Sequence, residues 1–190
     1  MNRPALFLDR DGVINEYRPY VHRVEDFQFV DGIFDLVAAA GHAGYLTIVV
    51  TNQAGIGRGL YTEEDFWRLT EWMTARFAEQ GCRIDHVSFC PTHPEHGIGR
   101  YRVESEFRKP RPGMILEAAR AFSLDLGRSI LIGDKPSDIE AGQAAGVGTL
   151  VLYRDPTAGE TGDSDRAGQR LIVTSLRDVI PLMESARKRG

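Results

Sequence analysis

The stretch Ala5–Asn15, ALFLDRDGVIN, decides the fold. Four apolar residues, Ala5–Leu8, run straight into Asp9 and Asp11, with Arg10 between them and Gly12 behind. A continuous apolar run this short suits a strand buried on both faces, as in a parallel sheet. A strand that only needed a stop would be served by one polar residue and the glycine. Two like charges this close call for something positive between them, most often a metal ion. Alone, the pair could equally be polar residues that end a strand.

Working outward, the same kind of run recurs at Leu46–Val50, Ile84–Phe89, Ser129–Ile132, Thr149–Leu152 and Leu171–Val173. Helical patterns lie between. Gly32–Ala43 carries Ile33, Leu36, Val37 and Ala40 at helical spacing, and Thr62–Gln80 opens with a capping box of Thr62 and Asp65. Pro112–Phe122 begins with Pro and Gly in its first turn, Ser137–Ala145 stops at Gly146, and a last helix starts near Ser175. Trp67, Trp72 and Phe77 read as helix packing with partial exposure, and Cys82 as an inert core or edge thiol. Strand alternating with helix predicts an α/β fold, a doubly wound Rossmann-like parallel sheet with helices on both faces. Residues 1–190 are read as a single domain. The spacing from Asp11 to Thr51 holds a loop and one helix, so no large cap domain is expected.

Right-handed crossovers place every strand-to-helix loop at one edge of such a sheet, where ligands bind. Asp9 and Asp11 follow the first run, Thr51 and Asn52 the second, and Asp134 the fourth. Thr and Asn after a strand are commonly a turn pair, and Asp134 or Asp138 could simply cap a helix. Together with Lys109, however, these residues can perform phosphoryl transfer. Asp9 and Asp134 would hold one Mg²⁺, an ion that favours oxygen ligands. Thr51 and Lys109 could take phosphoryl oxygens, one aspartate could attack phosphorus, and the other could supply and retrieve the proton.

Composition narrows the classes. The 190 residues are 42% hydrophobic and 26% charged, with a formal net charge of −4, so a nucleic-acid partner is not expected. Two cysteines, Cys82 and Cys90, make no disulfide framework and suit a reducing compartment. No run approaches the roughly 20 apolar residues of a membrane span. A cytoplasmic monomer with no membrane partner is the expectation.

The stretches DRDGVIN, VVTNQAGIGRG, FRKPRPGM and LIGDKPSDIEAG together resemble the four motifs of the haloacid-dehalogenase-like phosphatases. The resemblance covers residues 3–153 and lies nearest the heptose-bisphosphate and histidinol-phosphate branch. It implies that Asp9 is the nucleophile and Asp11 the general acid and base. Mg²⁺ would sit on Asp9, Asp134 and the main-chain carbonyl of Asp11, with Thr51 and Lys109 on the phosphoryl group and Asp138 in support. TNQAGIGRG, Tyr20–His22 and RKPRPGM favour the heptose enzyme, which removes the 7-phosphate of D-glycero-D-manno-heptose 1,7-bisphosphate. On that likeness Asn52, Gln53, Arg108 and Lys135 contact a phosphorylated sugar, with Arg18 and Tyr20 on the loop over it. The alternatives are histidinol phosphate or another small phosphomonoester as substrate, or a phosphoryl-binding module without catalysis.

One departure stands out. Relatives carry a zinc loop reading roughly Cys-Pro-His-His-Pro and then Cys-x-Cys. Here Cys90 keeps the first ligand position, but Thr92, Ser105 and Phe107 fill the others. Structural zinc needs a closed tetrahedral set, so zinc is not expected, and the loop is expected to be held by Phe107 and Tyr101. His22, His93 and His96 read as loop or surface histidines, and Asp155–Gln169 as a mobile surface loop.

Overall fold

A computed structural model describes residues 2–156 and 170–187 of the chain. The strands are β1 (Ala5–Leu8), β2 (Leu46–Asn52), β3 (His86–Cys90), β4 (Ile130–Gly133), β5 (Thr149–Tyr153) and β6 (Arg170–Val173). They form one parallel sheet in the order β3-β2-β1-β4-β5-β6. The chain therefore starts in the middle, builds outward to one edge, then crosses back and builds to the other. That reversal lies between β1 and β4, and the crevice it opens at the carboxyl ends is where ligands bind in such sheets.

The helices are α1 (Ile33–His42), the single turn α2 (Ala54–Gly57), α3 (Glu63–Glu79), α4 (Gly113–Phe122), α5 (Pro136–Ala145) and α6 (Ile180–Arg187). Alternation along β1 divides the core. Leu6 and Leu8 face α1, α3 and the Leu176–Met183 segment, where Ile33, Leu36, Leu69, Met73, Phe77 and Val179 are buried. Ala5 and Phe7 face α4 and α5, against Met114, Ile115, Ile139 and Ala141. Helices thus cover both faces of the sheet. Thr62 and Asp65 make the expected capping box at α3, and Gly146 closes α5 with φ 82°. Among the described residues no helix is long and apolar enough to cross a membrane.

Several expectations are corrected. β2 runs on through Thr51 and Asn52, because Asn52 still pairs with Cys90 in the ladder; the polar pair sits inside the strand end. β3 starts at His86, after Asp85 has turned in to accept the Thr47 N–H. Phe77 is fully buried rather than part-exposed, wedged against Phe29 and Phe34. The last helical segment begins as a 3₁₀ turn at Leu176–Val179 before α6. Phe107 is exposed and does not hold the Pro91–Arg111 loop. Tyr101 does, packing on Ile56, Tyr61 and Phe66 while its hydroxyl donates to Glu63 at 2.6 Å. Arg111 adds ion pairs to Glu104 and Glu106. Most of the expected Asp155–Gln169 loop lies outside the described residues.

Candidate active site

β1 and β4 are neighbours in register, Leu8 opposite Ile132. The residues just beyond them, Asp9 and Asp134, must therefore meet. With Asp138 from the first turn of α5 they form a cluster whose carboxylate oxygens lie within 4.8 Å of one another. Asp9 is 6% exposed and Asp138 1%. Burying three like charges costs heavily unless cations compensate. Part of that compensation is Lys109, 4% exposed. Its ammonium has three hydrogens and three acceptors: Asp9 Oδ1 at 3.0 Å, Asp138 Oδ1 at 2.7 Å and the Val50 carbonyl at 2.8 Å. Burial works against its charge, but Asp138 and Asp9 outweigh burial and hold its pKa above the usual lysine value.

The compensation is incomplete. Asp134 Oδ1 is buried and has no hydrogen-bond partner among the described residues. Burial, and then the neighbouring Asp9 charge, push the Asp134 carboxyl up to about 7. Burial also raises Asp9, against the pull of Lys109. An orphaned carboxylate oxygen facing a second carboxylate is the arrangement that a hard divalent cation satisfies, so the residues fit Mg²⁺. Asp138 differs from the other two. Its Oδ2 accepts the Lys135 N–H at 3.0 Å and its Oδ1 holds Lys109, so it positions the lysine.

Asp11 points elsewhere, into a ring of donors. Arg10 reaches it through Nη2 at 2.8 and 3.0 Å, Asn15 Nδ2 at 3.2 Å and Gln53 Nε2 at 2.9 Å. Arg10 is 1% exposed, stacks toward Phe66, and ties in the following loop by donating to the Val21 carbonyl at 2.7 Å. Gly12 takes φ 94°, and a methyl group there would lie 2.3 Å from Asp134 Oδ2. Only glycine lets the turn after β1 pass so near that carboxylate.

The other expected residues fall around this centre, with some differences in what they do. Thr51 is buried at the end of β2 and accepts from Gln53 at 2.9 Å. Asn52 spends its whole amide on Lys109, donating to its carbonyl and accepting its N–H, each at 3.1 Å. It clamps the lysine loop instead of facing outward. Gln53 likewise spends its amide on Asp11, Thr51 and Tyr61. Lys135 lies 4.7 Å over the Tyr17 ring, and Arg108 Nη1 donates to the Thr92 carbonyl at 3.1 Å. Arg18 and Tyr20 are exposed on the loop beside them. Sequence reasoning missed Arg10, Asn15 and Tyr61. Arg10 was signalled by its place between two aspartates; Tyr61 had no local signal.

The chain is 60% identical over 183 residues, 96% of its length and 95% of the relative's, to a Burkholderia mallei D-glycero-alpha-D-manno-heptose-1,7-bisphosphate 7-phosphatase. It belongs to the HAD-like phosphatases. A family model described as HAD-hydrolase-like matches residues 106–179. A Vibrio cholerae relative, 47% identical over 94% of this chain and 95% of its own, is named for the beta form of the same bisphosphate. Among solved structures, the D,D-heptose 1,7-bisphosphate phosphatase of B. bronchiseptica, complexed with magnesium and phosphate, superposes with a TM-score of 0.83. It is 25% identical and covers 96% of this chain and 98% of its own. This HAD-like phosphatase is a phosphoric monoester hydrolase, and the acidic cluster at the β1–β4 crevice is its candidate reaction centre.

Proposed function

We propose that this HAD-like phosphatase, acting in the cytoplasm as a single catalytic domain, removes the 7-phosphate of D-glycero-D-manno-heptose 1,7-bisphosphate. Similarity to relatives named for that reaction supports the substrate. The observation that carries the chemistry is the meeting of Asp9, Asp134 and Lys109 at one strand edge. Of the two anomers, the alpha form is the expected one, since the more similar of the two relatives is named for it. Mg²⁺ would be held by Asp9, Asp134 and the Asp11 carbonyl, where it supplies charge neutralisation for the carboxylates and phosphoryl oxygens.

Asp9 Oδ1 is taken by the Arg10 N–H at 2.7 Å and by Lys109, which leaves Oδ2 to face phosphorus. Oδ2 attacks, and the bond from phosphorus to the sugar oxygen breaks with its electron pair on that oxygen. The oxygen takes a proton from the Asp11 carboxyl. Water then attacks the aspartyl-phosphate, gives its proton to Asp11, and the Asp9–phosphorus bond breaks to return the carboxylate and inorganic phosphate. Thr51 and Lys109 stabilise the phosphoryl oxygens during both displacements. Arg108 and Lys135, with Arg18 and Tyr20 on the Tyr17–His22 loop, would hold the remainder of the sugar bisphosphate. The Pro91–Arg111 loop is read as zinc-free: Cys90 Sγ lies 3.3 Å from the Thr92 hydroxyl, and Ser105 accepts from the Phe107 N–H.

The deciding experiment compares turnover of both heptose bisphosphate anomers with histidinol phosphate in Mg²⁺ buffer. A large kcat/KM preference for a heptose bisphosphate is expected. A preference for histidinol phosphate overturns the substrate reading. Asp9→Asn should abolish hydrolysis while far-UV circular dichroism stays unchanged, and surviving activity would remove Asp9 from the role of nucleophile.

A further inference from the structure

Tyr61 has no part in the scheme above, yet it is buried at 7% exposure with a hydroxyl that needs a partner. That partner is Gln53 Oε1, to which the phenol donates at 2.5 Å. A primary amide has one accepting end and one donating end. With Oε1 fixed by Tyr61, Nε2 must face the opposite way, where it donates to Asp11 Oδ2 and Thr51 Oγ1, each at 2.9 Å. The orientation of the amide beside Asp11 is therefore set by the phenol.

The same ring has a second contact. His22 stacks on it almost flat, with centroids 5.0 Å apart and an interplanar angle of 2°. His22 Nδ1 donates to the Tyr20 carbonyl at 2.8 Å, and Tyr20 adopts φ 58°, a left-handed conformation that a tyrosine keeps only when held. Arg58 Nη1 donates to the Tyr20 hydroxyl at 2.9 Å. Both tyrosine rings rest on Gly55, where an added methyl would lie 2.2 Å from Tyr61 Cε1 and 2.9 Å from Tyr20 Cδ1.

We propose that Tyr61 is a positioning residue whose hydroxyl aims the Asp11 carboxyl through the Gln53 amide, while its ring face couples that aim to the seating of the Tyr17–His22 loop. The proposal rests on reading Asp11 as the acid and base of the proposed reaction. Without the hydroxyl, Gln53 Oε1 loses its partner, the amide is anchored at its Nε2 end alone, and the Asp11 carboxyl it holds is less firmly placed.

Leaving groups separate positioning from mere packing. A sugar alkoxide needs a proton to depart, whereas the nitrophenolate of para-nitrophenyl phosphate does not. Single-turnover release of the leaving group is measured for wild type, Tyr61→Phe, Gln53→Ala and the double variant. Tyr61→Phe keeps the ring and its stacking on His22. It should slow release from the heptose bisphosphate about tenfold, the worth of one such hydrogen bond in the transition state, with KM nearly unchanged. Release of nitrophenolate should change little, and Tyr61→Phe should add nothing in the Gln53→Ala background. Equal slowing of both substrates, no slowing, or additive effects would each overturn the relay. If the wild type spares the heptose bisphosphate but cleaves another alkyl phosphate, the substrate reading has failed, and the same comparison on that ester still decides the relay.

Discussion

Gly12 shows how little room separates the turn after β1 from the Asp134 carboxylate. A Gly12→Ala change puts a methyl group 2.3 Å from Asp134 Oδ2 in a backbone with φ 94°, so either the turn or the carboxylate must move. The expected outcome is a fold that survives, weakened Mg²⁺ affinity and at least a tenfold fall in kcat/KM, the cost of about 1.4 kcal/mol of misplacement. Titration calorimetry with Mg²⁺ and steady-state kinetics check it. Asp134 itself yields a pH prediction. Its carboxyl is raised from 3.8 to about 7, so the metal-free fold keeps a proton that the unfolded chain has released. Metal-free stability then falls as pH climbs across that interval, and Mg²⁺ must displace the proton below its upper end. The gain in Tm on adding Mg²⁺ should be larger near about pH 8 than near about pH 6. An equal gain at both would contradict the assignment. The convergence of Asp9, Asp134 and Lys109 was legible because the carboxylates follow strand ends and the lysine holds its place in the motif order of the resemblance. Tyr61 was not, since its neighbours Gln53 and His22 reach it only after three separate segments fold together.

Among the elements, the turn that follows β1 depends most on a single buried cation. Arg10 is almost fully buried, forks onto Asp11, and pins the Val21 carbonyl of the neighbouring loop. Replacing it with methionine preserves bulk against Phe66 but removes two donor nitrogens, Nε and Nη2, that between them serve Asp11 and the Val21 carbonyl. Breaking a buried ion pair from one side typically costs about 3–5 kcal/mol. Arg10→Met should therefore lower the urea midpoint by that equivalent and release the Tyr17–His22 loop to proteolysis. The strands were readable because both faces of β1, β2 and β4 are covered, which makes their sequences continuously apolar. Arg10 and the polar tail of β2 escaped that reading, because a charge or an Asn in an apolar run looks like an exit to solvent. The Pro91–Arg111 loop escaped it for another reason: Phe107 and Tyr101 are both aromatic, and only the packing decides which one turns inward.

Across the molecule, the strand order does the organising. A sheet that begins at its centre must bring the residue after β1 beside the residue after the strand laid down on the return, whatever lies between. That is why motifs spread from Asp9 to Asp138 converge without any one of them being close in sequence. The order also has a consequence for how the chain is made. β1 leaves the ribosome before β2 and can pair with it soon afterwards, but its other edge waits for β4, some 120 residues later. Until then a central, wholly apolar strand has one bare flank, the condition that invites wrong pairing between nascent chains. Catalytic competence and protection from self-association must therefore arrive together, at the moment Ile130–Gly133 slides into its slot.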